Sequence, residues 1–238
     1  MKFNEFLHKE FDKIYVINLD SRPDRMSVVK NILLKYKIKY ERYSAVYLKD
    51  NYTDVINSTT QTSSLGHLGC ILSHVYCCKD AVKNNYNKIL VLEDDITFIE
   101  DHINKINFKE LYDELSQIDW SMFYLGATFN SKLTPITKHI DKPQGEVWAT
   151  QSIGYNKKTI EKIVKTIPTD IEYYLKENRL QKILPIDVIY DKNFKLQKYC
   201  INPIVCVQNA SQSDIVPPHL MLDNSEYQLS RWLNSKKQ

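Results

Sequence analysis

Two short stretches constrain this chain more than any other feature. Ile14-Tyr-Val-Ile-Asn-Leu19 and Lys88-Ile-Leu-Val-Leu92 are apolar at nearly every consecutive position and rich in β-branched residues. A strand with water on one face would alternate. A continuous run belongs to a strand covered on both faces, as in a sheet sandwiched between helices. Each run also ends abruptly in charge, the first at Asp20-Ser-Arg-Pro23 and the second at Glu93-Asp-Asp95.

The segments that follow carry helical periodicity. Ser21 is a candidate cap and Pro23 suits a first helical turn. Val28, Val29, Ile32 and Leu33 then form an apolar stripe toward Lys37. A short strand is expected near Tyr40–Val46, and the polar stretch Lys49–Ser64 reads as a loop. From Gly66 to Asn84, residues Leu68, Ile71, Leu72, Val75, Cys78 and Val82 share one helical face. Ser73 points away from that face, and His74 sits on its flank. Further helices are expected over 104–118 and 158–167, with strands over 122–125 and 146–153. Short strands and loops are expected over 183–208, and an amphipathic basic helix over 224–238. Strands alternating with helices, without repeat or linker, predict one α/β domain over residues 1–238.

Composition excludes several function classes. The five glycines stand at 66, 69, 126, 145 and 154; none precedes lysine and no three have G-x-G-x-x-G spacing. A Walker A loop and a dinucleotide fingerprint are thereby excluded. A net charge of +3, dispersed along the chain, does not argue for nucleic acid as a partner. Five cysteines, odd in number and without C-x-x-C spacing, argue against zinc and a disulfide framework, and predict reduced thiols. No signal-peptide-like run or membrane-spanning stretch is evident, so a cytoplasmic location is expected. The Lys- and Asn-heavy composition points to a bacterial or giant-viral source. Trp232 with Lys236 and Lys237 offers a weak peripheral contact for an anionic membrane, with a fraying terminal helix as the favoured alternative.

The acidic turn is the strongest chemical signal. Strand carboxyl ends form the ligand crevice of open α/β sheets. Three adjacent acids there need a cation or basic partners, and hard oxygen ligands select Mg²⁺ or Mn²⁺. A solvated acidic turn is the alternative. The second signal is arginine. Only Arg22, Arg25, Arg42, Arg179 and Arg231 occur among 32 basic residues, and two of them flank Pro23. The rigid guanidinium fork at a helix N-terminus suits phosphate; surface pairing with Asp20, Asp24 or Glu41 competes with that reading.

These segments carry a family resemblance. Ile14-Tyr-Val-Ile-Asn-Leu-Asp-Ser-Arg-Pro-Asp-Arg25 resembles the opening motif of glycosyltransferase family 25. Gly66-His-Leu-Gly-Cys-Ile-Leu-Ser-His74 resembles its second motif and Ile89-Leu-Val-Leu-Glu-Asp-Asp95 its acidic metal motif. Weaker similarities follow at Leu184-Pro-Ile-Asp187 and Gln208-Asn-Ala-Ser-Gln-Ser-Asp-Ile215. The resemblance implies a GT-A type, Rossmann-like fold with a mixed, mostly parallel sheet and a UDP-sugar donor. It further implies an inverting displacement assisted by Mn²⁺ or Mg²⁺, with a saccharide or protein hydroxyl as acceptor. Asp95 and Glu93 become metal ligands, and Asp94 faces the ribose or donor sugar. Asn18, Arg22, Arg25 and Ser73 line the nucleotide pocket. Asp214, favoured over His219, completes the metal set. Asp187, an acid in an apolar stretch, is the candidate general base, with a helix cap after Pro185 as its alternative. His67 departs from the pattern by standing where an acid is usual. Glu93 in place of an aspartate nucleophile argues against a haloacid-dehalogenase-type phosphatase. The missing glycine-rich loop argues against a sugar-nucleotide pyrophosphorylase. An inactive sugar-nucleotide or glycan-binding module remains the alternative function.

Overall fold

The computed structural model describes residues 1–48, 59–176, 179–194, 196–209 and 224–237. The two apolar runs form β1 (Lys13–Asn18) and, further along, β3 (Lys88–Glu93), which pair in parallel with Ile17 opposite Glu93. β2 (Glu41–Ser44) lies on the other side of β1, also parallel. The order continues through β10 (Ser152–Asn156), β5 (Met122–Tyr124), β11 (Lys198–Ile201), β8 (Ile140–Pro143) and β7 (Leu133–Pro135), giving an eight-stranded sheet, β2-β1-β3-β10-β5-β11-β8-β7. β10 and β8 run against the other six strands. This is the expected mixed, mostly parallel α/β architecture. Two small ribbons flank it: β4 (Ile96–Phe98) with β12 (Cys206–Gln208), and β6 (Thr128–Phe129) with β9 (Val147–Trp148).

Strand alternation sends the apolar runs to two cores. Tyr15, Ile17, Ile89 and Val91 face α3 (Thr59–Lys83), α6 (Lys157–Thr166) and α8 (Ile186–Asn193), and pack with Ile71, Val75, Ile163 and Tyr190. Ile14, Val16, Leu90 and Leu92 face α1 (Phe3–Glu10), α2 (Pro23–Lys35) and α5 (Phe108–Ser116), and pack with Phe6, Val29, Leu33 and Leu111. Helical layers on both faces explain why β1 and β3 lack polar alternation. α4 (Glu100–Ile103), α7 (Ile171–Leu175) and α9 (Asn224–Ser235) complete the helices among the described residues.

Several sequence expectations require correction. α3 begins at Thr59, so Gly66 and Gly69 lie inside the helix rather than opening it. A Cβ on Gly69 would stand 2.5 Å from the Val46 carbonyl oxygen; the glycine permits that close approach. Val28 and Val82 are exposed, so the buried stripes are narrower than expected. Arg22, not Ser21, caps α2, and it does so without a side-chain cap bond. The expected strand over 146–153 is split into β9 and β10, with Ala149 between them at φ 70°. α8 stands where short strands and loops were expected. Trp232 and Lys236 turn inward: the indole meets the His102 ring, and the ammonium group binds buried Asp141 at 2.7 Å. The proposed membrane contact thereby loses two of its three residues. No helix among the described residues is long and apolar enough to cross a membrane.

Candidate active site

Parallel pairing puts the carboxyl ends of β1 and β3 side by side, and the chemistry gathers there. Asn18, the last residue of β1, is almost fully buried. Its amide nitrogen donates to Asp94 Oδ2 at 2.6 Å and to the Arg22 carbonyl at 2.9 Å. Its Oδ1 accepts from Arg42 Nε at 2.9 Å. Arg42 also reaches Asp20 Oδ1 at 2.5 Å, and Ser44 donates to the other oxygen of that carboxylate. Beside this network lies an open cavity of about 320 Å³, lined by Asn18, Asp20, Pro23, Met26, Ser27, Lys30 and Arg42. Arg42 was not among the expected site residues. Its place on a separate strand hid it, although its scarcity in this lysine-rich chain was a usable signal.

The two expected arginines diverge. Arg22 forks onto Asp24 at 3.1 and 2.9 Å, one of the surface pairs anticipated as the alternative. Arg25 is buried against the acids, 2.7 Å from Asp94 and 3.1 Å from Asp95. Its guanidinium therefore compensates carboxylates, and Arg25 is not among the residues that line the cavity. Ser73 does not join them. Its hydroxyl donates to the Gly69 carbonyl at 2.7 Å and accepts from the Val46 amide at 2.9 Å, clamping α3 to the segment after β2.

The acids themselves differ in environment. Glu93 Oε1 accepts from the Thr150 hydroxyl at 2.8 Å and lies 3.4 Å from His74 Nε2. Burial pushes this carboxyl up, but His74, Thr150 and Arg25 outweigh it and hold Glu93 below its ordinary value. Asp94 is raised by burial, against the opposing pull of Arg25 and Asn18. Asp95 is pushed up to about 7, first by burial and then by the Glu93 charge. Its Oδ1 is buried without a hydrogen-bond partner among the described residues. His74, placed by the sequence on the flank of its helix, is fully buried and joins Glu93 to Tyr155, whose hydroxyl lies 3.0 Å from Nδ1.

Asp187 sits in the first turn of α8, whose N-cap is Pro185, so the cap alternative does not hold. Its Oδ2 accepts from the Ala149 amide at 2.8 Å and its Oδ1 from the Val188 amide at 2.8 Å. Burial raises the Cys70 thiol well above its usual value; Glu93, Asp187 and Asp95 raise it further. These acids come from two parts of the chain, the end of β3 with the turn after it and the first turn of α8. Burial lowers the His67 imidazole, with Asp187 opposing. Asp214 and His219 lie outside the described residues.

The donor set fits a hard divalent cation. Three clustered carboxylates face Arg25 and His74, and a buried carboxylate oxygen on Asp95 has no partner among the described residues. A buried acceptor without a donor is costly, and a cation would satisfy it.

An acid cluster beside a polar cavity, at the carboxyl ends of β1 and β3, lies where open α/β sheets bind their ligands. The family model described as glycosyltransferase family 25 (LPS biosynthesis protein) matches residues 11–195, and the chain belongs to this family. Procollagen galactosyltransferase 1-B of Xenopus laevis is 28% identical over 211 residues, covering 77% of this chain and 32% of that protein. Procollagen galactosyltransferase 2 of Homo sapiens is 31% identical over 133 residues, covering 49% and 21%. The chain therefore spans about a third or less of these relatives. Among solved structures, a glycosyltransferase involved in the glycosylation of the major capsid of PBCV-1 overlaps with a TM-score of 0.46 at 9% identity, covering 94% of this chain and 97% of that one. That likeness is too loose to argue from.

Proposed function

We propose that the chain transfers a hexose from a UDP-sugar to a saccharide or protein hydroxyl, with inversion at the anomeric carbon. The observation that carries this reading is Asp95: a largely buried carboxylate in the turn after β3, raised toward neutrality, with a buried oxygen that has no partner among the described residues, next to Asp94, which bonds the cavity residue Asn18. Asp95 and Glu93 would hold Mn²⁺ or Mg²⁺, with Asp214 as a third oxygen ligand. When bound, that ion supplies Lewis-acid stabilisation of the departing diphosphate. Asn18 and Arg42 would border the nucleoside, and Lys30 and Arg25 would add positive charge near the diphosphate. Asp94, fixed by Asn18 and Arg25, would orient the ribose or donor sugar. Asp187 would take the acceptor proton at Oδ1. Both oxygens accept from backbone amides, Oδ2 from Ala149 and Oδ1 from Val188, so the carboxylate is held in one orientation and the proton would go to the second lone pair of Oδ1. Ser73 is left out because its hydroxyl clamps backbone. The relatives' printed names, procollagen galactosyltransferases, support a hexose donor and a protein acceptor.

The test is UDP release from UDP-glucose, UDP-galactose and UDP-N-acetylglucosamine, with Mn²⁺ and with EDTA. Metal-dependent release from at least one donor is expected. Equal release in EDTA overturns the metal dependence, and no release from any donor across acceptor mixtures overturns transfer and leaves the binding module.

A further inference from the structure

C-x-x-C spacing is absent, yet the fold assembles a different soft-ligand set. Cys70 and His74 stand four residues apart on one face of α3, and that face meets the end of β3 at Glu93. One ligand atom from each residue lies within 4.8 Å of the other two. We propose that Cys70 Sγ, His74 Nε2 and a Glu93 carboxylate oxygen form a zinc-class site, separate in character from the hard-oxygen set around Asp95.

Four observations carry it. Spacing i, i+4 on a helix points two ligands at one centre. Metal binding selects the tautomer that donates Nδ1–H to Tyr155; the ring proton then no longer faces Glu93, and Nε2 presents a lone pair toward Glu93 and Cys70. The outer partner thus fixes the ligating nitrogen, as is usual for metal-bound histidine. The Tyr155 hydroxyl is itself anchored 3.1 Å from that of Tyr190. Thr150 holds Glu93 Oε1 in place at 2.8 Å, while the His74–Glu93 approach of 3.4 Å is long for a hydrogen bond. Cys70 and Glu93 are only partly buried, so an ion can enter where His74 is sealed. Thiolate and imidazole select zinc over the manganese or magnesium that carboxylates prefer. Three protein ligands leave a fourth position open. Binding releases the Cys70 proton to solvent and is therefore favoured as pH rises. Because Glu93 belongs to both sets, zinc occupancy withdraws it from the hard-cation site.

The test uses cobalt(II) as a spectroscopic substitute on EDTA-treated full chain, without any sugar donor. The expected result is a near-ultraviolet thiolate-to-cobalt charge-transfer band at one ion per chain, displaced by one equivalent of zinc. Cys70→Ser is expected to abolish the band and His74→Gln to weaken or abolish it. Cys78→Ala, eight residues along the same helix, is expected to keep it. Circular dichroism checks that each variant is folded. Absence of the band in the wild type, or its persistence in Cys70→Ser, overturns the site. Neither result bears on metal-dependent UDP release, so the two readings fail separately.

Discussion

Glu93 and Asp95 are two residues apart at the end of one strand, both carboxylates, both withdrawn from water, yet their acidities move in opposite directions. On the α3 side, Glu93 meets an imidazole and a hydroxyl, and it stays charged. On the α2 side, Asp95 shares Arg25 with Asp94, keeps one oxygen without a partner among the described residues and is pushed up to about 7. Burial acts on both; the supply of donors decides which carboxylate stays charged. The comparison separates a carboxylate held charged by the protein's own groups from one whose charge calls for an outside cation.

Asp95→Asn is the strongest way to break that contrast. Loss of the charged ligand is expected to lower metal-dependent UDP release by about 100-fold or more, near 3 kcal/mol of barrier at about 1.4 kcal/mol per tenfold. Near-normal release would remove Asp95 from the site. The same variant carries a pH signature in the metal-free protein. The folded-state value of Asp95 lies above the unfolded value of 3.8, so the native state binds that proton more tightly. Its contribution is full below about 4 and declines as pH rises toward 7. Glu93, lowered in the fold, contributes above its unfolded value and loses that contribution as pH falls. Denaturant unfolding in EDTA from pH 4 to 8 should therefore show a loss with rising pH that Asp95→Asn removes and Mn²⁺ offsets. A wild-type curve that matches Asp95→Asn at every pH contradicts the assigned environment.

His74→Ala tests the other half. It leaves Glu93 with the Thr150 hydroxyl and the more remote Arg25 charge, and it opens a gap beside Tyr155. Removing one partner of a buried pair costs about 3–5 kcal/mol; partial exposure of Glu93 brings the expectation down to about 2 kcal/mol. The Glu93→Gln/His74→Ala double variant should recover part of that loss, a coupling read from a thermodynamic cycle. Strict additivity would show that the two side chains do not support each other.

How much was legible follows the same local-versus-remote divide. The continuous apolar runs announced β1 and β3 because burial on both faces is written residue by residue, and the acids at their ends were visible for the same reason. Arg42 and Tyr155 reach the site from other strands, and nothing next to them in sequence marks that placement. His74 was visible as a flank residue, but only β3 pairing brings Glu93 to it. α8 was hidden because Ile186, Val188 and Ile189 favour strands by composition, whereas tertiary packing of Ile186 and Tyr190 against β10 and α6 decides for helix. The Ser73 misreading has a similar cause. Pointing away from the apolar face predicts a solvent or ligand role, but Gly69 lets the Val46 backbone approach that polar side, and the hydroxyl binds there instead.

That last contact yields the smallest expected effect. Ser73→Ala removes a buried hydroxyl that accepts from the Val46 amide and donates to the Gly69 carbonyl. The carbonyl already belongs to the helix ladder, so the principal loss is the donor left at Val46, about 1–2 kcal/mol. Since β2 carries Arg42 and its chain continues into Val46, a loosened clamp would reach the cavity only indirectly. Thermal stability should fall while the dissociation constant for UDP, measured with Mn²⁺ by calorimetry, changes less than about twofold, below 0.5 kcal/mol. A tenfold loss of UDP affinity at unchanged stability would instead put the Ser73 hydroxyl on the nucleotide and restore the expectation drawn from its motif.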